Sequence, residues 1–425
     1  MVRVSFERLN EGIRFTAFCE EADKSNSPKF GGHRDFQYKF SKGTEFPDTH
    51  PDRLALVAIL NTLPFAGERL HIGWPVSERF LEATKLISRV KVVSEQGTQT
   101  PMDRSTSGTH ALSFSGGADS VATLTVMPPA TESVFMLRSR RNTRTLYDSD
   151  AALESCRKLK AMGFVVHIVE SDFEYLRDPI GFPTDLSVAT PAILLAESRG
   201  FESIAFGTIL ESAYGTSGKA YRNYVDSSHY RLWSRMFDAV GLGYSLPVAG
   251  VSEVGSSLIC QETPLGRFHQ SCIRGKWGKP CKNCWKCFRK SMLSAALKGE
   301  TLPSATSEMM RNSKEVRKHL LENKPIKHEG VLTYALQRSE GGDEAVQALR
   351  NLTRVGSQQT GWMERWYPRS AELIDESYCE YTSNRLTEIL GVMSQGHSKH
   401  LKAWSNPNDE QREERLAAFV DSLDG

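Results

Sequence analysis

Residues 111–123 read Ala-Leu-Ser-Phe-Ser-Gly-Gly-Ala-Asp-Ser-Val-Ala-Thr, and no other segment restricts the fold as tightly. An apolar run enters a pair of glycines and leaves as a helix-forming stretch, so a buried strand must turn sharply into a helix. Backbone N–H groups and the positive end of that helix then converge on one point, which makes an anion site. Gly116 and Gly117 let the backbone approach a phosphate with no Cβ in the way, while Ser115 and Ser120 offer hydroxyl donors. Asp119 cannot donate to a phosphate; its carboxylate suits a magnesium ion or a ribose hydroxyl. The lysine of a Walker loop is missing, which argues against ordinary cleavage at a γ-phosphate. A glycine turn that binds nothing is the other use of such a dipeptide, and the flanking strand and helix weigh against it.

The rhythm around this turn sets the fold class. Apolar runs at 111–114, 134–137, 164–169 and 204–206 alternate with helical stretches such as 150–162 and 184–199. Continuous apolar strands between helices imply a parallel sheet covered on both faces, a doubly wound α/β domain over 106–300. Residues 1–105 predict an N-terminal α+β domain, with period-two stretches at 13–18 and 36–40. In it, a helical pattern covers 51–63, and Ser77 caps a helix through Phe80, Leu81 and Leu86. Polar residues 96–109 predict a linker or mobile loop. Beyond 300, helical patterns at 307–321, 343–352 and 384–393 predict a helical region over 301–425, in which 406–409 cap a last helix into Phe419.

Four of the eight cysteines, Cys272, Cys281, Cys284 and Cys287, fall within 16 positions. Four thiolates at this spacing can close a tetrahedral zinc site of structural type. Basic neighbours Lys279, Lys282, Lys286, Arg289 and Lys290 would offset the charge of a zinc tetrathiolate. An iron–sulfur cluster, or a redox pair from one Cys-x-x-Cys unit, are the alternatives. Lys and Arg number 53 and Asp and Glu 51, a net charge of +2, which argues against a nucleic acid met by a whole basic face. No stretch of about 18 apolar residues appears, and the first residues lack a signal peptide's pattern. The expectation is a cytoplasmic protein with no membrane partner, in which clustered cysteines bind metal.

The hexapeptide Ser-Gly-Gly-Ala-Asp-Ser at 115–120, directly after a strand, resembles the signature of the N-type ATP pyrophosphatases, the PP-loop superfamily. The resemblance implies an adenine nucleotide alpha hydrolase-like sheet and a loop that grips the β and γ phosphates of ATP, with magnesium. It further implies attack at the α-phosphorus, giving an adenylated substrate and pyrophosphate. The implied nucleotide site comprises Ser115, Gly116, Gly117, Asp119 and Ser120, with Met136 flanking adenine and Arg138 and Gly207 nearby. A PP-loop followed after about 150 residues by these cysteines is similar to the branch containing 7-cyano-7-deazaguanine synthase, where a carboxylate is adenylated and becomes an amide and then a nitrile. The rest of the chain resembles the ATP-dependent glutamate epimerases that act on UDP-MurNAc-L-Ala-L-Glu. The resemblance rests on Glu211-Ser212-Ala213, Val251-Ser252-Glu253-Val254, Ser271-Cys272 and Asn323-Lys324-Pro325-Ile326, in that order. The epimerase loop has Gly and Lys where this chain has Ser115 and Ala118, which alters the compensation of phosphate charge.

These branches share adenylation of a small-molecule carboxylate, which makes an adjacent Cα–H more acidic. Inverting that centre requires bases, and Glu211 and His229, after the fourth strand, are the candidates for proton transfer, with Asp119 as the metal-binding catalytic carboxylate. A basic run, Arg138, Arg140, Arg141 and Arg144, could hold phosphate or a substrate carboxylate, or form a solvated loop. Three readings stay open: epimerisation of a glutamyl residue in a UDP-sugar peptide, amide or nitrile formation on a small molecule or protein terminus, and tRNA modification through a local basic patch at 276–290. A homodimer is compatible with each.

Overall fold

A computed structural model describes residues 1–20, 29–31, 33–41, 46–139, 146–215, 220–404 and 411–424. The chain opens with an antiparallel pair, β1 (Val2–Leu9) and β2 (Gly12–Cys19), whose alternate residues Val2, Val4, Ile13, Phe15 and Ala17 are buried. Such alternation is what a half-buried strand requires. A two-residue strand, β3 (Lys29–Phe30), precedes β4 (Asp35–Lys39), which pairs with β2. Helix α1 (Pro51–Thr62) starts with Pro51 in its first turn and is buried from Asp52 onward. Strand β5 (Arg69–Ile72), α2 (Glu78–Thr84) and β6 (Lys91–Ser94) follow. Ser77 caps α2, accepting from the Phe80 N–H at 3.1 Å, but the helix stops at Thr84 and leaves Leu86 exposed.

The middle of the chain supplies β7 (Thr109–Phe114), α3 (Ala118–Val126), β8 (Glu132–Arg138), α4 (Asp150–Ala161), β9 (Val166–Ser171) and the short β10 (Arg177–Asp178), which pairs with β3. Then come α5 (Thr190–Arg199), β11 (Phe201–Ala205), α6 (Leu210–Ala213), α7 (Ser228–Ala239), β12 (Gly243–Ser245), α8 (Glu253–Glu262) and α9 (Trp285–Lys298). The result is a mixed α/β fold around one ten-stranded sheet in the order β12-β11-β7-β8-β9-β4-β2-β1-β5-β6. Neighbours are parallel except at β9-β4, β4-β2 and β2-β1. The N-terminal strands thus extend the same sheet, joined at Tyr38↔Ser171 and Lys39↔Glu170. Alternate residues feed two cores: Leu112, Phe114 and Phe135 pack with residues of α3 and α4, and Ala111, Val134 and Met136 with those of α1 and α5.

Residues 95–108 carry no regular structure, yet they are tied down rather than loose. Thr100 O lies 3.0 Å from His50 Nε2, Arg104 pairs with buried Asp375 at 2.5 Å, and the Gly108 N–H donates to Glu202. The tail comprises α10 (Ala305–Asn312), α11 (Lys314–Leu321), α12 (Glu329–Arg338), α13 (Glu344–Leu352), α14 (Cys379–Leu390), α15 (Gln395–Ala403) and α16 (Arg412–Asp424). The single helix expected over 307–321 is two, because Ser313 has extended backbone and caps α11 by accepting from the Val316 N–H at 3.3 Å. The cap expected at 406–409 lies outside the described residues. Among the described residues no helix is long and apolar enough to cross a membrane.

Candidate functional site

Strand β7 delivers the 115–117 turn into the first turn of α3. Gly116 has φ +74°, a left-handed conformation that favours glycine, and a Cβ there would come within 3.2 Å of the Ala152 Cα. Gly117 is the N-cap residue, and a helix's first amides lack intrahelical acceptors, so those of Asp119 and Ser120 are left to seek another. The Ser115 hydroxyl donates to Ser120 Oγ at 3.1 Å, and Ser120 Oγ donates to Gly117 O at 3.0 Å. Asp119 Oδ1 accepts from Ser256 Oγ at 2.7 Å, which fixes its carboxylate against α8. Gly207, just past β11, closes over this turn: a Cβ on it would lie 3.1 Å from the Ser120 nitrogen.

A strap crosses the turn. The Gln270 N–H donates to Gly116 O at 2.9 Å, and Ser271 Oγ accepts from the Ala118 N–H at 3.5 Å. The next residue is Cys272, the first of the four clustered cysteines. Their sulfurs all lie within 4.8 Å of one another, with Cys281 and Cys287 Sγ 3.8 Å apart. A Zn–S bond of about 2.3 Å sets tetrahedral S···S edges of about 3.8 Å, so the cage fits a metal such as zinc. The hydrogen bond between Cys284 and Cys287 lowers the first thiol and raises the second, so the two share one proton when no metal is bound. Asp150 Oδ2 accepts from the Trp277 N–H at 2.8 Å, and Glu315 binds both Arg274 and, at 3.1 Å, the Trp285 N–H. The cysteine loops are thereby braced against α4 and α11.

Between the turn, the strap and α9 lies a cavity of about 160 Å³, whose wall includes Asp119, Gly207, Glu253, Lys286, Lys290 and His328. Glu253 is its buried centre: Arg289 Nη1 lies 2.8 Å away, Lys290 Nζ 3.3 Å and His328 Nδ1 3.4 Å. Burial alone would push the Glu253 carboxyl up, but Arg289, Lys290 and His328 outweigh it and hold the group well below the usual carboxylate range. Burial and the nearby Arg289 charge push His328 the other way, down to about 3, so it is neutral at pH 7. Arg289 and Lys290 therefore face Glu253 across the cavity instead of simply offsetting the cysteine charges as their sequence proximity suggested.

Glu211 sits behind this centre rather than in the cavity wall. It is 1% exposed, and both its oxygens accept from the Glu253 N–H at 3.0 Å. Burial, then repulsion from Glu253, pushes its carboxyl up to about 8, so it holds its proton at neutral pH. His229 is elsewhere, with Nδ1 2.7 Å from Tyr224 Oη and Nε2 3.2 Å from Asp185 Oδ2. Met136 is buried in the sheet, with its backbone paired to Val169. Arg138 is bound to Glu174 and lies 4.2 Å over the Tyr147 ring, so its charge already has a protein partner. Arg140, Arg141 and Arg144 lie outside the described residues. The structure thus brings Ser115, Gly116, Gly117, Asp119, Ser120 and Gly207 together, places Glu211 one layer back, and keeps Arg138 and His229 with other partners.

His328 and Ser256 have no local sequence signal. Glu253 had one, the Ser252 N-cap just before it, which accepts from the Val254 and Gly255 N–H groups. Over residues 232–405 the chain matches a family model described as a family of unknown function (DUF6395). No curated protein and no solved structure matches it. The matched stretch contains Glu253, the four cysteines, Arg289, Lys290 and His328, and the 115–120 turn precedes it.

Proposed function

We propose that this chain uses ATP to adenylate a small-molecule carboxylate with release of pyrophosphate, as the N-type ATP pyrophosphatases do. The observation that carries the reading is where the 115–120 turn emerges. It leaves β7 between β8, the next strand in sequence, and β11, which lies on the opposite side. In a doubly wound sheet the crevice outside the strands' carboxyl ends at such a reversal is where ligands gather. The cavity's cations, Lys286, Arg289 and Lys290, come from α9, and Lys286 and Lys290 supply charge that the turn itself lacks at Ala118.

In this reading the first-turn amides of α3 and the hydroxyls of Ser115 and Ser120 hold phosphate oxygens. Asp119, oriented by Ser256, would hold magnesium, which would supply positive charge against the phosphates. Strand β8 runs three residues, Met136 to Arg138, past its last pairing with β7 at Phe114↔Phe135, which leaves backbone there for an adenine edge. A substrate carboxylate oxygen attacks the α-phosphorus, and the bond to pyrophosphate breaks as the new P–O bond forms. Lys286 and Lys290 steady both anions. Glu211, protonated and bonded to the Glu253 backbone, serves to hold the Glu253 cluster in place rather than to take a proton from substrate directly.

Epimerisation of a glutamyl residue in a UDP-MurNAc-peptide is the first outcome to test. Amide or nitrile formation is the second, favoured by the four-cysteine cage next to the turn. Incubation with ATP and candidate carboxylates should release AMP and pyrophosphate; ADP and phosphate alone would sink the reading. Uptake of solvent deuterium at the substrate's α-carbon marks an epimerase, and dependence on ammonia marks an amide former.

A further inference from the structure

A second and larger opening, about 620 Å³, lies on the other side of Ser271, Lys286 and Lys290 and shares them as walls with the turn's cavity. Its size falls in the usual range for small-molecule sites. One face of α9 runs along it, presenting Lys286 and Lys290 nearest the turn and Leu293 and Leu297 further on. At about 1.5 Å of rise per residue, Leu297 lies about 10 Å beyond Lys290 along the axis. Met309 and Pro303 face it from the start of the helical tail. Four lysines, Lys282, Lys286, Lys290 and Lys298, border the groove, and among the described residues no Asp or Glu lines it. Lys290 already has Glu253 at 3.3 Å, whereas Lys286 pairs with no carboxylate among the described residues.

We infer that this groove holds the acyl substrate, and that the substrate is a monocarboxylate with an extended apolar body. Its carboxylate lies at Lys286 and Ser271, at the threshold of the turn's cavity, and its tail runs along Leu293, Leu297 and Met309. Position fixes the direction: Ser271 and Lys286 are shared with the turn's cavity, whereas Leu293, Leu297 and Met309 lie beyond it, with Lys298 at the far end of the groove. The inference rests on the adenylation reading only for the fate of the carboxylate; the groove's preference for an apolar acid stands on its own walls. An acyl substrate of this kind excludes the UDP-MurNAc-peptide as the occupant of the groove and leaves the adenylation step itself unchanged.

The test is calorimetric titration of the zinc-loaded full chain with butanoate, hexanoate, octanoate, decanoate and decanol below their micelle concentrations, beside pyrophosphate release with ATP. Affinity should rise about fourfold per added methylene. Decanol should bind about tenfold more weakly than decanoate, and Lys286→Ala should remove that difference while leaving decanol unchanged. Leu297→Asn should flatten the chain-length series; because the decanoate-to-decanol comparison uses the unaltered protein, a misfolded variant does not blunt the test. A flat series, equal binding of decanol and decanoate, or displacement of decanoate by a non-hydrolysable ATP analogue overturns the groove assignment. Steep binding with no pyrophosphate from any acid upholds the groove and sinks the adenylation reading. Pyrophosphate from short polar acids without decanoate binding sinks the groove and leaves adenylation standing.

Discussion

The two ends of the ten-stranded sheet deal with buried charge in opposite ways. At the β1–β2–β4 end, the interior is aromatic: Phe15 stacks on Phe36 at 5.1 Å, and Tyr38 and Trp74 pack around them. Its buried ions are few: Asp52 accepts from the Ser77 N–H and hydroxyl at 2.8 and 2.6 Å, and Arg53 donates to Val240 O at 3.2 Å while its Nη1 has no hydrogen-bond partner. At the β7–β11 end, Asp119, Glu253, Arg289, Lys290 and His328 crowd one small cavity with Glu211 one layer behind, and polar atoms of Glu253, Arg289 and His328 are left without a hydrogen-bond partner. Apolar side chains of similar volume would stabilise the second region as well as the ions do. Charges kept there at no gain to the fold are what the proposed nucleotide site calls for.

The largest test concerns the cysteine cage. The purified chain should carry one zinc, and Cys284→Ser or a strong chelator should remove it, lowering the melting temperature sharply, since structural zinc contributes on the order of 10 kcal/mol in small domains. Nucleotide affinity should vanish with the metal, because the strap through Gln270 and Ser271 ends at Cys272. Metal analysis and calorimetry read both, and a visible absorption band with bound iron would replace zinc with an iron–sulfur cluster.

A matched pair of substitutions then probes the contrast itself. Phe15→Ala at one end should cost about 3–5 kcal/mol by cavity formation. Glu253→Ala at the other should cost about 3–5 kcal/mol by stranding Arg289 and Lys290. Denaturant melts should rank them together, while nucleotide titration should separate them, with Phe15→Ala binding as the parent does and Glu253→Ala not binding. Equal binding by both would erase the functional distinction between the two ends.

Glu211 and Glu253 make the contrast visible in pH. Glu211 is raised from an ordinary 4.5 to about 8, so between those values the unfolded chain has lost a proton that the folded chain keeps, and stability falls as pH rises. Glu253, held low, has the reverse sign: its contribution is present above about 4.5 and disappears as pH falls through its folded value. Glu211→Gln should therefore gain on the parent by an amount on the order of a few kcal/mol between pH 5 and pH 8, measured as denaturant midpoints. The smallest expected change is Gly116→Ala, about 1–2 kcal/mol for a left-handed residue, yet it should weaken ATP binding at least tenfold.

The turn and the cage were legible because each is written locally, six consecutive residues in one case and four spaced cysteines in the other. The alternation of apolar runs likewise located β7, β8, β9 and β11 to within a few residues. The Glu253 centre was not legible, since α8, α9 and the residue before α12 each contribute one part to it. Arg138 shows the converse. In sequence it heads a basic run, but Glu174, 36 residues later, occupies its guanidinium. Helix splitting at Ser313 was missed for a simpler reason: a serine reads as tolerable inside a helix until its hydroxyl is seen capping the next one.

The seam between β4 and β9 carries a consequence for how the chain reaches this state. The Gln37 N–H donates to Asp172 Oδ1 at 2.8 Å across 135 residues of sequence, whereas β1 and β2 meet through a tight hairpin. Contacts so distant along the chain must wait for the intervening segments to order, and they slow folding accordingly. Strand β4 thus has no neighbour on its outer edge until β9 is in place. During synthesis the exposed edge of β4 is the surface most in need of protection from other chains.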